Sequence, residues 1–192
     1  MAALLTNYIV KKKAISEDDY EIYQYGFQIG MEMLICMAVC YLIAIRMNMV
    51  GQCTLLFFLF FSLRSFVGGL HMDSFKACFL CSCVVVFITL FAVKYCPVSP
   101  GPALTASVCE VIVLLFLKPV ENGNRPVDEA EKKVFSRKIR QVLTIILFLI
   151  ILFRSIRLFS YLITIAYTLA VIMISMFLGK WQNRMRKKDE VS

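Results

Sequence analysis

Hydrophobic residues dominate this chain in long stretches that short polar and charged segments separate. A transmembrane helix needs about 20 consecutive apolar residues to cross roughly 30 Å of hydrocarbon. The pattern predicts about six transmembrane helices, at residues 26–45, 49–66, 77–95, 102–118, 140–155 and 157–178. The fourth and fifth spans are short, and five spans remain possible if the last two form one broken hairpin. The predicted fold is an all-α integral membrane protein.

Composition supports lipid as the solvent of this chain. Of its 192 residues 60% are hydrophobic, whereas soluble domains have roughly 45–50%. No long linker, repeat or low-complexity tract divides the chain, so we predict one membrane-embedded domain, 1–192. Its predicted parts are a cytoplasmic or interfacial N-terminal segment (1–25), a transmembrane bundle (26–178) with a cytoplasmic loop (118–140), and a basic cytoplasmic tail (179–192).

The distribution of positive charge predicts the orientation of the bundle. In the six-span arrangement all but four of the 21 Lys and Arg residues lie on the side of the N-terminus. The four exceptions are Arg46, Lys94, Arg154 and Arg157. Because cytoplasmic loops carry the excess of Lys and Arg, both termini are predicted to be cytoplasmic. Residues 64–78 are then at the cytoplasmic face, where thiols stay reduced.

Local signals predict three further features. Ser16–Asp19 is typical of a helix start, with a hydroxyl cap followed by acidic residues. Residues 4–9 beside Lys11–Lys13 favour either a short helix lying on the inner leaflet or a frayed terminus. The prolines within Cys96–Pro102 predict a tight non-helical turn.

His71 is the one histidine of the chain, and it precedes Cys78 by seven residues. An imidazole and a thiol are the parts of a cysteine nucleophile and its base. In a continuous helix the two residues would be about 10.5 Å apart along the axis, too far for a hydrogen bond. We therefore expect Gly68-Gly69 to allow a bent or re-entrant segment that brings imidazole and thiol together.

Two nearby side chains are possible supporting residues. Asp73 is placed to orient the imidazole, and Arg64 to hold a substrate carboxylate or an oxyanion. Spacing alone leaves other interpretations open: His71 as a polar group at the membrane interface, Cys78 as one more apolar cysteine, and Arg64 as a cation reaching for water.

The remaining seven cysteines are interpreted as structural, because they lie in or beside apolar stretches where a free thiol behaves as a small hydrophobe. One histidine and the lack of paired CxxC motifs exclude the usual zinc sites. We predict no metal and no cofactor.

The pattern Arg64-x₃-Gly68-Gly69-x-His71-x₆-Cys78 resembles the signature of the accessory gene regulator B (AgrB) family. The acidic segment before the first span and the proline-marked connector Lys118–Pro126 are similar to the same family. The length and the six spans also agree, so the resemblance covers most of the chain.

The resemblance implies a bacterial cell-membrane cysteine endopeptidase of quorum sensing, with His71 and Cys78 catalytic. Such enzymes cut the C-terminal part from a small precursor peptide and keep the rest as a thioester. A side chain of the peptide then closes a thiolactone or lactone ring. The resemblance also implies a homodimer and an AgrD-like precursor with an acidic C-terminal tail.

Basic residues near the predicted loop are candidates for binding that acidic tail. The candidates are Lys118, Arg125, Lys132 and Lys133. These charges also suit contact with anionic membrane lipid, and no nucleic-acid partner is predicted. Two other functions stay open from sequence: a small transporter or channel component with a polar pathway, and a non-catalytic membrane scaffold.

Overall fold

The described part of the chain is helical and contains no strand. The structure is a computed structural model that describes residues 2–12, 19–67, 75–96, 98–117 and 129–189. Within these residues seven helices follow one another: α1 (Ala2–Lys11), α2 (Tyr20–Met47), α3 (Val50–Val67), α4 (Phe75–Tyr95), α5 (Pro100–Phe116), α6 (Glu129–Ser155) and α7 (Phe159–Asp189). The all-α prediction is confirmed.

Each predicted span overlaps one of the helices α2 to α7. Four stretches are long and apolar enough to cross a membrane, namely Tyr20–Met47, Val50–Val67, Lys76–Tyr95 and Phe159–Met185, and α5 is a shorter apolar helix. These helices agree with a membrane location. The count of six spans and the cytoplasmic termini stay predictions.

Contacts near both ends of α3 and α7 show that these two helices run in the same direction. Near their N-terminal ends, the amide nitrogen of Gln52 donates a hydrogen bond to the hydroxyl of Ser160 at 3.0 Å. Towards their C-terminal ends, Arg64 donates a hydrogen bond to Ser175. The same relation holds for α2 and α4. The ammonium of Lys94 donates to the carbonyl of Met47 at 2.8 Å, and earlier in both helices the sulfur of Cys83 lies within 4.8 Å of those of Cys36 and Cys40.

Two short turns reverse the chain at the end of the bundle that holds Met47 and Lys94. Asn48 adopts the left-handed conformation (φ 55°) and donates its backbone N–H to the carbonyls that end α2. Arg157, between α6 and α7, is also left-handed (φ 60°). Connections this short place consecutive helices antiparallel. The four exceptions in the charge count, Arg46, Lys94, Arg154 and Arg157, therefore lie together at this end.

The opposite end of the bundle collects the C-terminus of α3, the N-terminus of α4 and the N-terminal part of α6. The aromatic rings of Phe66 and Phe135 lie 6.0 Å apart there. Because α3 and α7 are parallel, the C-terminal half of α7 is at this end as well. We call it the α3–α4 end, and every candidate site residue that the structure describes lies in it.

The helix α7 forms the centre of the bundle. It packs against α3, α4, α5 and α6, and 50% of its apolar stretch is buried, against 11% in α2. Its buried side chains include Leu162, Ile165, Leu169, Ile172 and Met176. The periphery, α2 in particular, turns large apolar side chains outward, as expected where lipid takes the place of water.

Of the three local predictions from sequence, the turn before α5 is wrong in its length, and the N-terminal segment is resolved as a helix. The turn predicted over Cys96–Pro102 was too long, because α5 already begins at Pro100 after an extended Ser99; a proline fits the first turn of a helix, where its missing N–H has no partner to lose. The residues before Lys12 form a helix rather than a frayed terminus. The first span begins its helix at Tyr20 after Asp19, and Ser16 lies outside the described residues.

Close packing of α3 against α7 yields a stability prediction. A Cβ atom at Gly51 would overlap the hydroxyl of Tyr161 and lie 3.1 Å from its Cζ atom. Gly51→Ala should therefore lower the free energy of unfolding by about 1–3 kcal/mol, as overpacked sites do. Thermal unfolding in detergent measures the change. The double variant Gly51→Ala, Tyr161→Ala should lose less stability than the sum of the losses in the two single variants.

Gly30→Ala is the matched control, since it also lies in a helix but has nothing within 4 Å of the added atom. It should leave the unfolding midpoint unchanged or raise it. Equal midpoints for Gly51→Ala and Gly30→Ala would show that α3 and α7 do not approach as described.

Candidate active site

Arg64 lies in the last turn of α3, half-buried and held by two neighbours. Its Nη1 atom donates a hydrogen bond to the Ser175 hydroxyl of α7. Its guanidinium also lies 5.4 Å from the ring centroid of Phe60, one turn earlier in α3. A cation in an apolar segment is costly unless protein groups solvate it. These contacts keep the guanidinium inside the bundle instead of in the surrounding water.

Cys78 is the fourth residue of α4, and its side chain is exposed. The helix α4, which corresponds to the span predicted at 77–95, begins at Phe75 and carries this thiol. The N-terminal turn of a helix has a positive electrostatic potential that favours a thiolate. Cys78 thus combines an exposed side chain with a position in the first turn of a helix.

The structure brings Arg64 and Cys78 together across the junction of α3 and α4. The guanidinium interacts electrostatically with the thiols of Cys78 and Cys81. Cys81 lies one turn further along α4 and is half-buried. The described part of the site is therefore an accessible thiol within electrostatic reach of the Arg64 guanidinium. This arrangement suits attack on a carbonyl carbon, because the same charge can stabilise the oxyanion that forms.

Four of the predicted site residues lie outside the described residues: Gly68, Gly69, His71 and Asp73. The bend predicted at Gly68–His71 lies there too. The structure does describe both ends of this connection, Val67 and Phe75. The segment that carries the candidate histidine therefore starts one turn after Arg64 and ends one turn before Cys78.

The predicted substrate-binding residues are placed only in part. Lys118 and Arg125 lie outside the described residues, and only the backbone of Lys132 is described, in α6. Lys133 is exposed on α6 and lines a surface depression of about 400 Å³ together with Ser136, Arg137 and Arg140. We call this depression the α6 basic surface. The contact of Phe135 with Phe66 places it at the α3–α4 end.

Sequence reasoning missed Ser175, the hydrogen-bond partner of Arg64. The two residues are 111 positions apart, and a serine within an apolar helix usually bonds the carbonyl four residues earlier. Thr164 and Thr168 of the same helix do so, to Ser160 and Thr164. Nothing in the sequence distinguishes Ser175 from them.

The fold and the site together define a helical membrane protein with an accessible cysteine at one end of its bundle. The sequence model of the family described as accessory gene regulator B matches residues 2–182. The chain belongs to the accessory gene regulator B family, and it therefore has a role in the processing of a quorum-sensing peptide precursor. No curated protein and no solved structure matches the chain.

The fixed charge of Arg64 should be detectable through the alkylation of Cys78. Iodoacetate is an anion and iodoacetamide is neutral, so the ratio of their rates reports the local potential. Arg64→Gln should lower this ratio at Cys78 by about twofold to fivefold, the effect of up to about 1 kcal/mol between unit charges in water. Peptide mass spectrometry at low ionic strength measures both rates.

Cys96 supplies an internal control, because it is exposed at the opposite end of α4. Its ratio should be the same in both proteins, and Arg64→Lys should keep the ratio at Cys78 near that of the unmodified protein. An unchanged ratio at Cys78 in Arg64→Gln would show that Arg64 does not contribute to the electrostatic potential at this thiol.

Proposed function

We propose that this protein is a membrane cysteine endopeptidase that cleaves a small precursor peptide and assists its cyclisation into a quorum-sensing signal. The observation that carries the proposal is the accessible Cys78 thiol in the first turn of α4, within electrostatic reach of Arg64. Family membership adds the peptide precursor as the substrate class. The thioester and ring-closing steps rest on the family resemblance.

The first step transfers the N-terminal part of the precursor to the enzyme. The Cys78 thiolate attacks the carbonyl carbon of the scissile peptide bond, and the charge on the carbonyl oxygen faces the guanidinium of Arg64. Protonated His71 then delivers its proton to the leaving amine, the C–N bond breaks, and the C-terminal part departs. A thioester on Cys78 and a neutral imidazole remain.

The second step closes the ring. The neutral imidazole of His71 accepts the proton of a thiol or hydroxyl in the bound peptide, which attacks the thioester carbonyl. The Cys78 thiolate leaves as the thiolactone or lactone forms, and both enzyme groups return to their starting state. Ring closure competes with hydrolysis, so cover of the exposed Cys78 by the bound precursor at the membrane face would favour it by limiting the access of water.

Replacing either catalytic residue tests this chemistry. Cys78→Ala and His71→Ala should each reduce cleavage of a co-expressed precursor by about 10⁴-fold, to below detection. Immunoblots of tagged precursor measure cleavage, and the enzyme itself should remain in the membrane fraction. Cys78→Ser should cleave slowly or retain an acyl-enzyme.

The other cysteines provide matched controls for these variants. Cys81→Ala removes the thiol one turn further along α4 and should leave cleavage largely intact. Replacement of Cys96 or Cys109, both exposed, should have the same outcome. Cleavage that persists in Cys78→Ala would exclude the mechanism.

The α6 basic surface supports the proposed recognition of an acidic precursor tail. Lys133, Arg137 and Arg140 are exposed and lie at the same end of the bundle as the candidate nucleophile. A tail bound there would leave the adjoining part of the precursor near Cys78. Electrostatic attraction of this kind steers and orients a charged partner and weakens with salt. We also propose that this surface faces the cytoplasm and that the enzyme is a homodimer.

A charge reversal tests this recognition. Lys133→Glu should raise KM for the precursor by about twofold to tenfold, with kcat changed much less, because the interaction serves binding. A precursor with one acidic tail residue replaced by lysine should regain affinity for the variant, because Arg137 and Arg140 still bind the remaining acidic residues. Cleavage in membrane vesicles at several salt concentrations measures both constants.

Arg154→Glu is the control for net charge, since Arg154 is exposed at the opposite end of the bundle. It should leave KM unchanged. Equal effects of the two reversals would show that the α6 basic surface does not recognise the precursor.

A further inference from the structure

Three thiols meet inside the bundle, where α2 packs against α4. The sulfur atoms of Cys36, Cys40 and Cys83 all lie within 4.8 Å of one another. Cys40 is fully buried, and the other two are half-buried. Cys36 and Cys40 are one helical turn apart and so share a face of α2, while Cys83 comes from the neighbouring helix. We call these residues the thiol cluster.

The spacing of the thiol cluster suits a bound metal ion. Metal–thiolate bonds of about 2.3 Å in a trigonal plane place three sulfur atoms about 4 Å apart. The observed upper limit of 4.8 Å differs from this by less than a rotamer adjustment. Cys36 and Cys83 are half-buried, so the thiol cluster lies at the edge of the contact between α2 and α4.

The donor set selects the kind of ion. Thiolates are soft ligands that favour Cu(I), Zn(II) and iron–sulfur clusters. Structural zinc takes four ligands in a tetrahedron, and among the described residues no fourth Cys, His, Asp or Glu joins the cluster. Cu(I) is left as the soft ion that three sulfur donors satisfy.

We propose that the thiol cluster is a binding site for Cu(I), distinct from the Cys78 site. Each cysteine that coordinates as a thiolate releases one proton to solvent, the sulfur–metal bond replaces the S–H bond, and no electron is transferred. The bound ion cross-links α2 to α4. Cys36 is also within electrostatic reach of Cys78, so the ion would be held in the helix pair that carries the candidate nucleophile.

The test uses the full-length protein in lipid nanodiscs under anaerobic conditions, with the Cu(I) complex of bathocuproine disulfonate as the probe. The protein should withdraw one Cu(I) per chain, seen as loss of the absorbance of the complex. Replacing Cys36, Cys40 and Cys83 together by alanine should abolish this withdrawal.

A matched variant carries alanine at Cys53, Cys96 and Cys109. It also removes three of the eight thiols, one of them buried, and it keeps Cys78. It should withdraw one Cu(I) like the unmodified protein. Withdrawal that persists without the thiol cluster, or that fails in the matched variant, would overturn the proposal.

A second measurement needs no variant and so does not depend on folding. X-ray absorption at the copper edge of the loaded, unmodified protein should show three sulfur neighbours and no nitrogen or oxygen neighbour. Nitrogen in the coordination sphere would assign the ion to His71 and Cys78 instead, and would contradict the proposal.

Discussion

The hydrogen bond from Arg64 to Ser175 is the interaction on which the candidate site depends. In hydrocarbon no water is present to solvate a polar group, so partners must come from the protein itself. Ser175 and Phe60 supply them for the guanidinium. Because the bond joins the C-terminal turn of α3 to the central helix α7, it also fixes the position of the charge relative to α4. The Cys78 thiol is then within electrostatic reach of a cation that Ser175 and Phe60 hold in place.

Three hydroxyls within the helices meet the same constraint locally. Thr89, Ser107 and Thr168 lie in apolar segments and return their hydroxyl hydrogen bonds to the carbonyl four residues earlier. Such bonds satisfy a hydroxyl locally but join nothing across the bundle. Arg64 differs, because its bond joins two helices and holds a half-buried charge, whereas Lys94, which also bonds a neighbouring helix, is exposed. This difference supports a functional role for Arg64 over that of a cation reaching for water.

Hydropathy predicted where the chain forms apolar helices, because the bilayer leaves an apolar stretch few alternatives. It underestimated their lengths: α6 begins at Glu129 and α7 ends at Asp189, beyond the predicted spans. A helix continues into water as long as its residues favour it, and the change from apolar to polar residues does not mark its end. The turn at Pro100 was predicted too long for a related reason, since proline is compatible with the first turn of a helix.

The sequence predicted only those residues of the candidate site that lie close together along the chain. Cys78, Arg64 and the glycines lie within fifteen positions of one another, and their pattern pointed to the nucleophile. Ser175 and the approach of Cys83 to Cys36 and Cys40 depend on contacts between distant helices. Single residues give no indication of such contacts, because the packing of the whole bundle determines them.

The most direct test of the central claim is mass spectrometry of the enzyme during turnover. A precursor whose ring-closing residue is replaced by alanine can form the acyl-enzyme but cannot leave it by cyclisation. The account predicts an adduct on the peptide that contains Cys78, equal in mass to the N-terminal part of the precursor and released by hydroxylamine as a thioester is. Cleavage of this precursor with no adduct, or with the adduct on another residue, would contradict the account.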